Sequence, residues 1–156
     1  MTSPSFQAVL AAPGFCIGVQ CDDDELHAIR YLEPCAEIAP SSFLADEAVR
    51  QLRAYLSDPD FHFALPLRPS GTPFQRRVWE QISAIPSRQT RTYGDLAKAL
   101  RSAPRAVGQA CGANFFPLVI PCHRVVASGG GLGGFARQRG GFLLEIKRWL
   151  LDHERR

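Results

Sequence analysis

The stretch Pro121-Cys122-His123-Arg124-Val125 constrains this chain more than any other. It follows the apolar run Leu118-Val119-Ile120, which predicts a short buried strand, and precedes five glycines within residues 129–134. A strand that stops at a proline would deliver a cysteine and a histidine together at one point of the fold. The thiolate is the reactive form of cysteine, and a free thiol supplies only a few per cent of it at neutral pH. A neighbouring imidazole can take the proton directly or through a water. An isolated pair of this kind is more often a small core cysteine beside a chance histidine, so the rest of the chain decides.

Charge divides the chain. Residues 1–70 carry 4 Lys/Arg against 10 Asp/Glu, and residues 71–156 carry 14 against 5, giving net charges of −6 and +9. Phosphate would repel the first half and attract the second, which points to a polyanion partner for residues 71–156. The group Pro66, Pro69, Ser70 and Gly71 reads as a linker, and the expected domains are 1–70 and 71–156. Five cysteines lack disulfide-framework spacing. No signal peptide, transit peptide or apolar run of membrane length is evident, so a reducing, cytoplasmic setting is expected, with no membrane partner.

In the first half, Phe15, Ile17 and Val19 alternate as a strand, Cys21-Asp22-Asp23-Asp24 forms a polar turn, and 26–32 is a second strand of a hairpin or meander. A helix over 43–56 follows, with Leu44, Ala48, Leu52 and Tyr55 at helical spacing and Ser41 or Ser42 as cap. Cys16, Cys21, His27, Cys35 and His62 offer soft and imidazole ligands. Their spacing contains no C-x-x-C, so core cysteines and surface histidines account for them, and no metal or other cofactor is expected.

The second half reads as mainly helical. Thr72 caps a helix that begins at Pro73, with Phe74, Val78, Ile82 and Ile85 as its apolar stripe. Thr92 starts the next helix with Asp95 at the capping-box position, and a third runs over about 104–113 after a short turn. Two short helices joined tightly in a basic segment suggest a helix-turn-helix. On the third helix, Arg105, Gly108, Gln109 and Gly112 share the outward face. Helices that read major-groove edges carry long polar side chains, whereas this nearly bare face suits close approach to a narrow groove. In the final helix, about 141–154, Glu154 continues the apolar face of Leu143, Ile146 and Leu150. A carboxylate in a last turn opposes the helix dipole, so a cationic partner is expected, with His123 the candidate.

The run Ile120-Pro121-Cys122-His123-Arg124-Val125-Val126 resembles the active-site signature of the O6-alkylguanine-DNA alkyltransferases, and the resemblance extends from about Thr72 to the C-terminus, more weakly over the first 70 residues. It implies an α+β protein: a small N-terminal antiparallel sheet with a helix, ribonuclease H-like, then a mainly helical domain with a helix-turn-helix of winged-helix type. It implies single-turnover transfer of an alkyl group from O6-alkylguanine, or O4-alkylthymine, in DNA to Cys122. His123 and Glu154 would form a relay behind that thiol, Asn114 would hydrogen-bond near it, and Tyr93 would crowd the phosphate and donate a proton to the departing base. Arg105 would fill the stack vacated by a flipped nucleotide. Gly108, Gln109, Gly112 and Arg124 join Tyr93 and Arg105 as expected DNA contacts, and Pro121, Val125 and Phe135 as expected pocket residues. The partner would be double-stranded DNA, bound through its minor groove by a monomer, in the cytoplasm or in a nucleus. Cys21 and His27 resemble two ligands of the zinc site in animal members, with His62 a third.

One region departs from the pattern. Phe135 stands where members usually have tyrosine, and Ala136-Arg137-Gln138-Arg139 precede Gly140-Gly141, lengthening the segment before Trp149. The competing reading is a non-catalytic alkyltransferase-like module that marks damaged DNA. Such modules replace the reactive cysteine, whereas position 122 is Cys.

Overall fold

The computed structural model describes residues 5–131 and 141–155. Backbone contacts separate it into two compact units, Met1–Pro69 and Ser70–Arg156.

The first unit is a three-stranded antiparallel sheet, β1 (Ala8–Ala12), β2 (Phe15–Cys21) and β3 (Leu26–Leu32), in spatial order β1-β2-β3, with helix α1 (Phe43–Ser57) packed on β1 and β2. Gly14, at φ 85°, turns β1 into β2. Strand β1 has no polar alternation, so periodicity did not single it out. Its register, Ala8 opposite Val19 and Leu10 opposite Ile17, buries Leu10 completely. Gly18 is required by packing, since a Cβ there would come within 2.5 Å of the Phe6 ring. Ser42 is the cap of α1, its hydroxyl accepting from Ala45 N at 3.1 Å.

Cys21, His27 and His62, which resemble zinc ligands of animal members, do not form a ligand cluster among the described residues. The Cys21 thiol lies 3.9 Å from the Ser42 hydroxyl, and His27 Nε2 lies 2.9 Å from Asp22 Oδ2. Among the described residues the one cluster with metal-ligand geometry is Asp22, Glu25 and His27. Asp22 Oδ1 already accepts from the backbone of Asp24 and Glu25, each at 2.8 Å, as the acceptor of a local turn.

The second unit carries α2 (Pro73–Ser83), β4 (Arg91–Thr92), α3 (Tyr93–Leu100), α4 (Pro104–Gly112), a 3₁₀ turn at Cys122–Arg124, β5 (Val125–Val126) and α5 (Phe142–Glu154). Local chemistry starts two helices unaided. Thr72 with Gln75, and Thr92 with Asp95, each form a reciprocal capping box. Arg101 ends α3 in the left-handed region, and α4 follows to complete a helix-turn-helix packed on α2. Trp79, outside the predicted stripe, locks that packing by donating its indole N–H to Ala110 O at 2.9 Å. Ile85 is buried just past the end of α2.

The apolar run 118–120 is not a strand. Ile120 N donates to Phe116 O at 2.8 Å, and Leu118 sits at φ 75° within the turn. Pro117 and Pro121 flank the run and supply no N–H, so a ladder has little to hold; Asn114 Nδ2 takes the Ile120 carbonyl instead, at 2.9 Å. Among the described residues, no helix is long and apolar enough to cross a membrane.

Candidate active site

The reactive stretch is a tight local turn. Pro121 adopts φ −80°, ψ 67°, an inverse γ-turn in which Cys122 N donates to Ile120 O at 2.8 Å, and Arg124 N then donates to Pro121 O at 2.9 Å. The chain leaves this turn as β5, which pairs in parallel with β4, Val125 opposite Arg91 and Val126 opposite Thr92. Because Thr92 also caps α3, the same pairing places Tyr93 beside the turn.

Asn114 bridges the end of α4 to the nucleophile. Its Oδ1 accepts from Phe116 N at 2.8 Å, which settles which way the amide faces. Its Nδ2 then donates both to Ile120 O and to Cys122 Sγ, the latter at 3.2 Å. Cys122 is 3% exposed.

Behind the thiol, His123 (0% exposed) and Glu154 (2% exposed) meet through Nε2 and Oε2 at 2.7 Å. A carboxylate can only accept, so Nε2 carries the hydrogen and Nδ1 presents its lone pair. Nδ1 is buried and has no hydrogen-bond partner among the described residues. Burial holds the His123 pKa below its ordinary value; Glu154 pulls it upward without prevailing, and Arg124 and Lys147 push it down.

Arg124 corrects the expected picture. Placed among the DNA contacts by sequence, its side chain is only 11% exposed and lies against Glu154, Nε to Oε1 at 2.9 Å and Nη2 to Oε2 at 3.0 Å. Nη1 donates to Ile85 O at 2.8 Å. The guanidinium fork matches a carboxylate far better than one imidazole N–H does. Glu154 therefore finds its permanent cation in Arg124, and His123 can rest neutral. Arg88 Nη1 donates to the Glu154 carbonyl at 3.2 Å, satisfying one backbone acceptor at the end of α5.

Sequence reasoning missed Lys147. It is 0% exposed, with Nζ 2.7 Å from Val125 O, 3.5 Å from Tyr93 Oη and 5.7 Å from the Tyr93 ring centre. Burial lowers its pKa to about 8, with the Cys111 and Cys122 thiols acting in the opposite direction. The signal available in sequence was its place beside Ile146 and within the apolar stripe of α5, where a lysine has no business unless paired. Tyr93 is held well above its usual pKa, chiefly by burial. Cys122 is also raised well above its ordinary value, first by contact with the Cys111 thiol and then by burial; the Asn114 amide and Lys147 oppose this without overcoming it. The resting nucleophile is a thiol.

The remaining expected residues divide. Arg105 and Gln109 are exposed on α4, Gly112 is half-buried, and a Cβ added at Gly108 would meet nothing within 4 Å, so the bare face is real. Val125 and Pro121 are buried and back the site from beneath, and the Val125 carbonyl is occupied by Lys147. Phe135 and the residues up to Gly140 lie outside the described residues.

Residues 73–156 match the family model for the 6-O-methylguanine DNA methyltransferase, DNA binding domain. The chain is 44% identical over 111 residues to the constitutive methylated-DNA–protein-cysteine methyltransferase of Bacillus subtilis, covering 70% of this chain but only 65% of that protein's length. It is 35% identical over 157 residues to the methylated-DNA–protein-cysteine methyltransferase of Methanosarcina acetivorans, covering 96% of this chain and 97% of that one. The crystal structure of Mycobacterium tuberculosis OGT in complex with DNA superposes with a TM-score of 0.79 at 33% identity, over 94% of this chain and 91% of that chain. A cysteine held by an asparagine, a buried His–Glu pair behind it, and full-length similarity of this order lead to one assignment: this chain belongs to the O6-methylguanine DNA methyltransferase family.

Proposed function

We propose that the chain repairs DNA by direct reversal, moving the alkyl group of an O6-alkylguanine onto Cys122 in a single turnover. The observation that carries this reading is the buried line Asn114–Cys122 and His123–Glu154–Arg124, in which a neutral thiol, a neutral imidazole and an already paired carboxylate lie in sequence. Neutrality before substrate binds favours a buried site, because isolated charges there are expensive. Once the alkylated base is in place, the thiol proton passes to His123 Nδ1, through a water, and the resulting imidazolium and thiolate balance each other. Glu154, oriented by Arg124, holds the imidazolium. The sulfur forms its bond to the alkyl carbon as the carbon–O6 bond breaks, and guanine departs with its electron pair. Tyr93, kept protonated by its raised pKa, supplies a proton to the leaving base. The positive charge of Lys147 favours the developing thiolate.

The target carbon is buried within a duplex, so the nucleotide must leave the stack, at a cost of a few kcal/mol. Arg105, the one long cationic side chain on the outward face of α4, fills the gap, while Gly108 and Gly112 let the helix approach a narrow groove. The partner is accordingly double-stranded DNA carrying an alkylated guanine, approached from the minor groove by one copy of the chain. The +9 charge of residues 71–156 provides affinity for phosphate.

The test is direct. Duplex DNA carrying O6-methylguanine, mixed with the protein, should add one methyl group per chain, on Cys122, with no turnover because a thioether is a poor leaving group. Product in excess of protein, or a methyl group on Cys111, would overturn the reading. A non-catalytic damage-binding module would bind the duplex and remain unmodified.

A further inference from the structure

Three described residues other than glycine adopt the left-handed backbone: Arg101, which ends α3, Leu118 in the reactive turn, and Arg88 at φ 72°. Arg88 lies between α2 and β4, in a turn closed by Gln89 N donating to Pro86 O at 3.2 Å. Ser87 is outside the left-handed region, so Arg88 holds the third position in the pattern of a type II turn, where glycine or asparagine is at ease. A long cationic side chain there carries a backbone cost that the turn itself does not offset. Such residues persist where contacts elsewhere hold them, and they gather around functional sites.

The contact that holds Arg88 is at the end of α5. Arg155 N, at the helix cap, serves the carbonyls of Asp152 and His153. The Glu154 carbonyl is met from 66 residues away by Arg88 Nη1, at 3.2 Å. A cation at that terminus also suits the helix dipole. Arg124, which grips the Glu154 carboxylate, donates Nη1 to Ile85 O at 2.8 Å. The short segment from Ile85 to Arg88 therefore holds Glu154 twice, by its main chain through Arg88 and by its side chain through Arg124. His123 Nε2 rests on the same carboxylate at 2.7 Å.

The geometry points to Arg88 as a positioning residue for the transfer: by pinning the Glu154 main chain, it fixes where the carboxylate meets His123. Without that hold the last turn of α5 is free to fray. The carboxylate then follows the two-pronged grip of Arg124 rather than the single N–H of the imidazole. A ring released at Nε2 no longer presents Nδ1 in one direction, and the thiol loses its aligned base. The consequence for rate rests on the alkyl-transfer reading; the placement of the His123–Glu154 pair does not.

Two substitutions separate strain from hydrogen bonding. Arg88→Ala keeps the left-handed strain and loses the hydrogen bond, whereas Arg88→Gly loses both. The full-length variants are compared with wild type by urea unfolding and by the imidazole N–H signal of His123 in nuclear magnetic resonance, assigned by its loss in His123→Asn. Single-turnover transfer is measured at saturating O6-methylguanine duplex and at saturating free O6-benzylguanine. Arg88→Gly should unfold at higher urea than Arg88→Ala. Both should nevertheless transfer about 10-fold more slowly from either substrate, less than the loss from a fully misplaced catalytic group. The His123 signal should broaden in both through faster exchange. A residue that only closes the helix end would leave the rate of the folded protein unchanged. A folded Arg88→Gly that transfers at the wild-type rate therefore overturns the proposal. Slowing on the duplex alone, the mark of a phosphate contact, overturns it as well, and so does an unchanged His123 signal. Should Arg88→Ala fail to fold, Arg88→Gly decides alone. If wild type transfers from neither substrate the proposed function falls, and the His123 signal in the variants still decides whether Arg88 places the pair.

Discussion

Arg124 and Glu154 form a two-pronged ion pair, Nε to Oε1 at 2.9 Å and Nη2 to Oε2 at 3.0 Å, on the same carboxylate that accepts from His123. The pair changes the electrostatics expected of a Cys-His-carboxylate relay. With Glu154 already neutralised by a guanidinium, desolvation governs His123, and the imidazole stays an unprotonated base at neutral pH.

The first prediction separates the structural from the chemical work of Glu154. Glu154→Ala strands a mostly buried guanidinium and should destabilise the protein by about 3–5 kcal/mol, read from urea unfolding. Adding Arg124→Met should recover much of that stability but none of the transfer rate. His123→Ala should slow transfer by roughly 100-fold or more with a smaller loss of stability. Equal recovery of stability and rate in the double variant would mean that Glu154 is a structural residue only.

Transfer should follow a bell-shaped pH profile. His123 must be neutral to accept the proton, and its pKa is lowered, so the acid limb should lie below pH 6.5. Lys147 loses its charge at about pH 8 and takes with it the cation beside the thiolate, giving the alkaline limb. The single-turnover rate across pH measures both, and Lys147→Met should abolish the alkaline limb alone.

The same lysine makes a stability prediction. Its folded pKa of about 8 is below the 10.5 of an ordinary lysine, so the folded state is penalised below pH 8 and relieved as pH rises from 8 to 10.5. A shift of that size is about 3 kcal/mol. Replacement by Met removes the penalty but leaves Val125 O without its donor, at about 1–3 kcal/mol. Lys147→Met should therefore unfold within about 2 kcal/mol of wild type at pH 7 while transferring more slowly. A much larger destabilisation would show that the amine is better accommodated than its burial implies.

Asn114→Asp keeps the shape of the side chain but turns a donor toward Cys122 into a negative acceptor. Removing one such donor slows transfer by roughly 100-fold, and the added charge should raise the thiol pKa further. Thiol titration by a small alkylating agent and the single-turnover rate should move together; a slower rate with unchanged thiol reactivity would place Asn114 in loop support alone.

Arg105→Ala should slow transfer from duplex DNA far more than transfer from free O6-benzylguanine, which needs no flipping. Lysine should rescue duplex activity only in part, since it lacks the planar donor fork. A simple phosphate contact predicts Arg105→Lys near normal and a defect in affinity that added salt hides. Equal slowing on both substrates would remove the finger role.

What the sequence determined by itself is what its neighbours along the chain decide. Thr72 with Gln75, and Thr92 with Asp95, start α2 and α3 by hydrogen bonds within one turn; the bare outward face of α4 follows from side-chain spacing, and Cys122 and His123 are adjacent by covalent connection. Even the partnership of His123 with Glu154 was legible, because a carboxylate in the last turn of a helix opposes its dipole and calls for a partner. Only the tertiary structure decided the rest, and in each case the reason is a contact between groups distant in sequence. Leu118-Val119-Ile120 had the composition of a strand, but the Asn114 amide claimed its carbonyl and made it a turn. Arg124 was expected among the DNA contacts, but α5 brings Glu154 against it from 30 residues away. Lys147 was one cation among many until packing enclosed it between Tyr93 and the Val125 carbonyl. Burial, which no local pattern reports for a charged side chain, then set the protonation states on which the site depends.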